Sequence, residues 1–353
     1  MLLGIAHLRP ALEQSWPPFV LVAALLLIGQ LAAADGLYAA AASRLVRLPG
    51  GAVLSLLACL ALVAAVTAVL NLDTAAVFLT PVLIGVARRR GHPVEPFLYG
   101  AVFTANASSL FLPGSNLTNL LVLRGEVAGP GSLFARLLPA ALVATAVTAL
   151  GLLAIHWRAL RADQQPPPRE PAEPVHAGAG LAGVLFAAAL IVALANPALP
   201  VAAVALALLA VASLRGRLSA RAAVAALGLP TLAGLFALSV ALGLAARSGA
   251  VSLQPLHDAG AGATAGAAGL LTVLVNNLPA AVLLSSRGHL QARALLIGLN
   301  VGPNLAVTGS LAVLLWWRAA SAAGIRPSVL AYSRQGLLLA PPAAAAALLV
   351  AYL

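Results

Sequence analysis

The chain has 353 residues, 62% of them hydrophobic and only 8% charged, with a mean hydropathy of +1.02; a soluble domain carries about 25% charge, so this composition is that of a polytopic membrane protein. The net charge of +11 comes from 20 basic residues, every one an arginine, with no basic stripe and interleaved aromatics of the kind that grips nucleic acid. A lone cysteine, Cys59, excludes an internal disulfide and a multi-thiolate metal centre.

A span needs about 20 apolar residues. The first predicted span runs from Pro17 to Ala34, and Met1 to Gln14 shows no cleavage site, so the span is expected to be retained. Asp35 to Gly51 reads as a short interfacial or loop segment. Ala52 to Ala87 is about twice a span in length, is interrupted by Asn71-Leu-Asp-Thr74 and ends in Arg88-Arg-Arg90. Arginines on both flanks put both ends on the cytoplasmic side. The stretch is therefore two full spans or a re-entrant hairpin with its tip near Asn71 to Thr74.

Phe97 to Leu123 is a span broken at Pro113-Gly114, and Leu133 to Ile155 returns to the inside. Residues 156–180 form the one hydrophilic linker, Pro-rich and of mixed charge, and divide the chain into a first repeat, 1–155, and a second, 181–353. The second half offers paired spans at Leu181 to Ala195 and Ala198 to Leu214, then a span at Leu229 to Ala246. A Gly/Ala-rich loop is predicted at Gln254 to Gly269, followed by a short hairpin carrying Asn276-Asn277. A broken span from Ala294 to Trp317 and a last span from Gly336 to Tyr352 complete it. This path puts Arg9, Arg124, Arg136, Arg247, Arg287 and Arg293 outside, leaving 14 of the 20 arginines inside, the direction the positive-inside rule requires.

Thr67 to Thr80 aligns without gaps on Thr272 to Ser285. The two are identical at Thr67/Thr272, Asn71/Asn276, Ala75/Ala280, Ala76/Ala281, Val77/Val282 and Leu79/Leu284, six of fourteen positions. The order of parts also repeats: span, hairpin with Asn at its turn, broken span, closing span. With the first hairpin opening inward and the second outward, the halves form an inverted repeat. The pair at 181–214 has no counterpart before Pro17, where two spans are expected from the repeat.

Polar residues inside lipid-length runs mark the candidate solute and ion site. Asp73 is the one acidic residue deep in an apolar stretch; a carboxylate at that depth costs roughly 2.5–3.5 kcal/mol and is the candidate for proton coupling. Asn71 and Thr74 flank it at the first tip, and Asn276 and Asn277 stand at the second. Ser115, Asn116, Thr118 and Asn119 follow the first break; Asn300, Gly302, Asn304, Thr308 and Ser310 line the second. Helix breaks of this kind expose backbone N–H groups that suit an anion or a hydroxyl-rich neutral solute. No GxxxxGK, HExxH or GxSxG motif is present, so the chain is read as a transporter rather than an enzyme, with no cofactor and with H+ or Na+ as the coupling ion.

The stretches NLDTAAVFLTP, ANASSLFLPGSNLTNLL, VNNLPAAVLLSS and GLNVGPNLAVTGSLAVLLWWR resemble the arsenite/antimonite efflux permeases of the ion transporter superfamily, related to dicarboxylate carriers and sodium/proton antiporters. The resemblance implies an all-α, elevator-type fold with two re-entrant hairpins and two broken transmembrane helices around one site. It also implies a homodimer in the cytoplasmic membrane, proton-coupled export of arsenite or antimonite, and in some cases a soluble ATPase partner. The alternatives are a sodium-coupled carrier of a dicarboxylate or inorganic anion, a sodium/proton antiporter, or a non-transporting scaffold that kept the fold. The first tip reads Asn-Leu-Asp where those permeases have Asn and Asp adjacent.

Overall fold

The computed structural model describes residues 2–123, 130–162, 179–194, 196–251, 253–286 and 291–353, and all regular structure among them is helical. In chain order the helices are α1 (Leu2–Ala34), α2 (Leu37–Val46), α3 (Ala52–Val69), α4 (Leu72–Arg89), α5 (Val94–Ser108), α6 (Leu117–Leu123), α7 (Pro130–Ala162), α8 (Ala179–Ala193) and α9 (Ala198–Leu214). There follow α10 (Ala220–Ala226), α11 (Leu229–Ser248), α12 (Gln254–His257), α13 (Ala261–Val275), α14 (Asn277–Ser285), α15 (Ala292–Val301), α16 (Leu311–Ala322) and α17 (Val329–Tyr352). Five of them, α1, α3, α7, α11 and α17, contain apolar stretches long enough to cross a bilayer.

Side-chain contacts sort the helix ends onto two faces. At the arginine-rich inner face, Asp35 accepts from the Gly180 amide at 2.6 Å and from Arg217 at 3.3 Å, Arg88 donates to Ala323 O at 3.1 Å, and Gln335 donates to Glu95 at 3.3 Å. Arg90, almost fully buried, donates to Leu48 O at 2.6 Å and also to Gly50 O, so it pins the end of α4 to the loop before α3. At the outer face, Gln14 donates to Ser285 at 3.0 Å and accepts from Arg247, while Tyr352 donates to Gln291 at 3.1 Å. The hairpin α3–α4 therefore opens to the first of these faces and α13–α14 to the second, and the two repeats are inverted; the name of the inner face follows the positive-inside expectation.

The hairpins stop inside the bundle because their turns meet the helix breaks. Ser115, between α5 and α6, donates to Ala68 O in the last turn of α3 at 3.3 Å, and α6 continues beyond that level. Each hairpin's second arm packs on the other repeat's second half-helix, α4 on α16 and α14 on α6, while α7 and α17 pack against one another. The extra pair α8–α9 lies against α1, which also contacts α11.

Several expectations need correction. The first helix begins at Leu2 rather than Pro17 and carries Pro10, Pro17 and Pro18 inside it. The polar residues before Pro17 are paired within the helix or by docking: Arg9 pairs with Glu13 at 2.8 Å, and Gln14 reaches the second hairpin. The Gly/Ala-rich stretch predicted as a loop at 254–269 is instead α12 and most of α13. Its small residues let α13 approach α15 closely: a Cβ at Gly298 would lie 2.2 Å from Ala265 O, and one at Gly302 2.4 Å from Gly269 Cα. This is the small-residue seam by which membrane helices associate, and glycine is needed there for contact rather than for flexibility. The predicted linker is narrower too, since α7 runs to Ala162 and α8 starts at Ala179; residues 163–178, with Arg124, Glu126 and Arg287, lie outside the described residues.

Candidate functional site

At the first tip, Asn71 adopts extended backbone and its Oδ1 accepts from the Thr74 amide at 2.8 Å, which starts α4. That bond leaves Asn71 Nδ2 and Thr74 Oγ1 buried without partners. Asp73 sits in the first turn of α4, where the helix dipole favours a carboxylate, and is 3% exposed. Among the described residues nothing hydrogen-bonds or ion-pairs with its side chain. Arginines lie in loops or within about two turns of a helix end, so Asp73 is the one charge at this depth.

At the second tip Asn276 caps α14 with φ +75° and ψ 153°, a conformation that a side chain rarely adopts. Three bonds to the second break hold it there. Asn276 Nδ2 donates to Thr308 O at 3.0 Å, the Asn277 amide to Gly309 O at 2.9 Å, and Thr308 Oγ1 to Val273 O at 2.7 Å. Asn277 Oδ1 is buried and unpartnered.

The two breaks cross, and each holds the start of the other's second half-helix. Asn116 caps α6 through the Thr118 amide at 3.1 Å and donates to Asn300 Oδ1 at 2.7 Å. Ser310 caps α16 through the Val313 amide at 3.3 Å and donates to Asn106 Oδ1 at 3.2 Å. Asn106 and Asn300 each stand ten positions before these caps, 106 to 116 and 300 to 310, so the two bonds are equivalent under the inverted repeat. Around them Asn106 donates to Asn304 at 2.9 Å, Asn300 to Asn119 at 2.8 Å, and Ser109 to Asn300. Asn119 in turn donates to Ser109 O at 2.8 Å, a carbonyl released by the first break.

The structure thus gathers the candidate residues into a centre with three kinds of member. Asn116 and Asn119 bond Asn300; Asn304 and Ser310 bond Asn106; and Ser115 ties the first tip. Gly302 is the seam residue under α13, and Thr308, although exposed, binds the hairpin rather than facing the centre. Among the candidate residues, Asn71 Nδ2, Thr74 Oγ1, Thr118 Oγ1 and Asn277 Oδ1 are buried without a hydrogen-bond partner. A buried polar atom without a partner costs about 1–3 kcal/mol, so each of these four has bonding capacity that the described side chains leave unused. Sequence reasoning missed Asn106 and Ser109, although the same signal, polar residues in the apolar run of α5 just before a Pro-Gly break, was there to find them.

The family model for citrate transporters, CitMHS, matches residues 2–314. This chain belongs to the CitMHS citrate transporter family. The family's match across the breaks and both hairpins identifies the chain as a multi-pass membrane transporter of the ion transporter type, the level at which the permease-like motifs agree with it. No curated protein matches the chain. Among solved structures it is similar to the YdaH transporter of Alcanivorax borkumensis, described as having an unusual topology, with TM-score 0.55 and 16% identity over 98% of this chain and 85% of that one. At that identity the likeness speaks for the fold, which this CitMHS-family chain shares.

Proposed function

We propose that this CitMHS-family transporter exports arsenite or antimonite across the cytoplasmic membrane in exchange for protons, with Asp73 as the proton-carrying group. The observation that carries the reading is the chemistry of the tips and breaks: one buried carboxylate without a cationic partner in the first turn of α4, and amide and hydroxyl groups with free hydrogen-bonding capacity at Asn71, Thr74, Thr118 and Asn277. As(OH)3 and Sb(OH)3 are neutral and offer three hydroxyls, so they are matched by amides and hydroxyls and need no arginine. Asp73, alone in charge at this depth, can take up and release a proton without breaking an ion pair. In that scheme Asn71, Thr74, Thr118 and Asn277 contact the solute, and the crossed asparagines hold the breaks in place around it.

A second reading is favoured by the family match itself: a carrier of citrate or a related anion, coupled to sodium or protons, in which backbone N–H groups at the breaks take the carboxylates. Expression in cells lacking their own arsenite pumps separates the two. Arsenite resistance with reduced cellular arsenic is the expected result. Absence of resistance with the protein present in the membrane, together with gradient-dependent uptake of labelled citrate, would replace the first reading with the second.

A further inference from the structure

The two breaks release backbone carbonyls in the same way but satisfy them differently. In the first break, Ser109 O and Leu112 O both accept from Asn119 Nδ2, at 2.8 and 3.2 Å, from the half-helix α6 that the break itself begins. In the second, the partners come from outside: Asn276 and Asn277 of the hairpin tip take Thr308 O and Gly309 O, and the Tyr332 hydroxyl of α17 donates to Pro303 O at 3.1 Å. Pro303 has no N–H to tie this turn to the one before it, so a donor from outside on its carbonyl helps to fix how the turn sits. Tyr332 is fully buried among Phe103, Tyr99 and Trp316, with ring centroids 4.8, 6.5 and 5.6 Å away. One turn further along α17, Gly336 lies against Asn304 O, closer than any side chain would permit. The turn fixed from both positions is Gly302–Leu305, which carries Asn304, and Asn304 bonds Asn106 and Phe103 O.

We propose that Tyr332 is a positioning residue of the solute site: its hydroxyl sets the second break from α17, and removing that hydroxyl loosens the turn that aims Asn304 at the first break. The inference rests on the reading that the breaks bound the solute site. It makes the second break the responsive half, because the carbonyls at Pro303, Thr308 and Gly309 are held by neighbouring elements, whereas Ser109 O and Leu112 O of the first are held by Asn119 of its own half-helix.

Tyr332→Phe removes one oxygen and keeps the ring in its aromatic cluster. Tyr99→Phe is the matched control: its hydroxyl accepts from the Ser328 amide at 3.1 Å near the inner face and does not touch the break. In everted membrane vesicles the solute that the wild-type protein carries, arsenite or citrate, is titrated for KM and Vmax at equal protein level. Loss of one neutral hydrogen bond to the turn is expected to raise KM about fivefold in Tyr332→Phe, with Vmax held and with Tyr99→Phe within about twofold of wild type. A second readout needs no solute: the rate at which a permeant maleimide modifies a cysteine placed by Val307→Cys, the native Cys59 being fully buried. That rate should rise in Tyr332→Phe and stay unchanged in Tyr99→Phe. Equal rates in the two backgrounds, or a KM shift shared by both, would overturn the proposal. A wild-type protein that carries neither solute would overturn the functional reading and leave the labelling arm to decide the role of Tyr332.

Discussion

At the scale of single residues, the centre separates groups whose hydrogen bonds are filled from groups whose bonds are open. Asn300 accepts from Asn116 and Ser109 and donates to Asn119 and Leu296 O, so all of its capacity is used inside the protein. Asn300→Ala strands the buried amide groups of Asn116 and Asn119, each worth about 1–3 kcal/mol when left unpaired, and should lower the melting midpoint in detergent markedly. Thr118 Oγ1 bonds nothing, so Thr118→Val should leave that midpoint unchanged while solute transport falls by about tenfold if one ligand hydrogen bond of roughly 1.4 kcal/mol is lost. A destabilised Thr118→Val with normal transport would reverse the assignment. Sequence alone flagged both residues as polar interruptions in apolar runs and gave no means of telling them apart, because saturation depends on which asparagine faces which across the crossing.

At the scale of elements, the hairpins and breaks were legible because breaking a helix in lipid demands Asn, Ser, Gly or Pro at the interruption, and those residues stand out in apolar sequence. Asn71 and Asn276, aligned in sequence, are both helix caps at the tips. The stretch at 261–269 was misread for a related reason: glycine marks a loop when it supplies conformational freedom and a seam when it supplies closeness, and composition does not distinguish the two. The seam makes a sharp forecast. Gly298→Val would place side-chain atoms on the backbone of Ala265 and should abolish recovery of folded monodisperse protein, whereas Gly266→Ala, with nothing within 4 Å, should be recovered at wild-type yield. Normal recovery of Gly298→Val by size exclusion would refute the close approach of α13 and α15. The long first helix escaped notice because its early turns are polar or interrupted by proline, and their partners, Ser285 and Ser286, lie in the other half of the chain.

At the scale of the whole molecule, the contacts at the helix ends sort them onto two opposite faces, and the positive-inside rule predicts which of the two is the inner one. At one face Arg88 and Arg90 donate to backbone carbonyls, Arg217 to Asp35 and Gln335 to Glu95, and at the other Arg247 donates to Gln14 and Arg293 to Ala351 O. Cysteines introduced one at a time should report this directly. Gln291→Cys should react with an impermeant maleimide in intact cells, and Arg326→Cys only after permeabilisation; the opposite pattern would invert the protein and exchange the roles of the two hairpins. The inverted repeat places one tip near each side of a shared centre, the arrangement that alternating access requires. It is imperfect where it matters for coupling, because Asp73 of the first tip aligns with Leu278 of the second.

That asymmetry is the account's central claim, and everted vesicles test it most directly. With an imposed proton gradient and equal amounts of protein, the wild type should accumulate arsenite, and dissipating the gradient should stop it. Asp73→Asn, which keeps the shape and removes the exchangeable charge, should reduce gradient-driven accumulation to the level of vesicles without the protein. Accumulation by Asp73→Asn at the wild-type rate, still dependent on the gradient, would contradict a coupling role for Asp73.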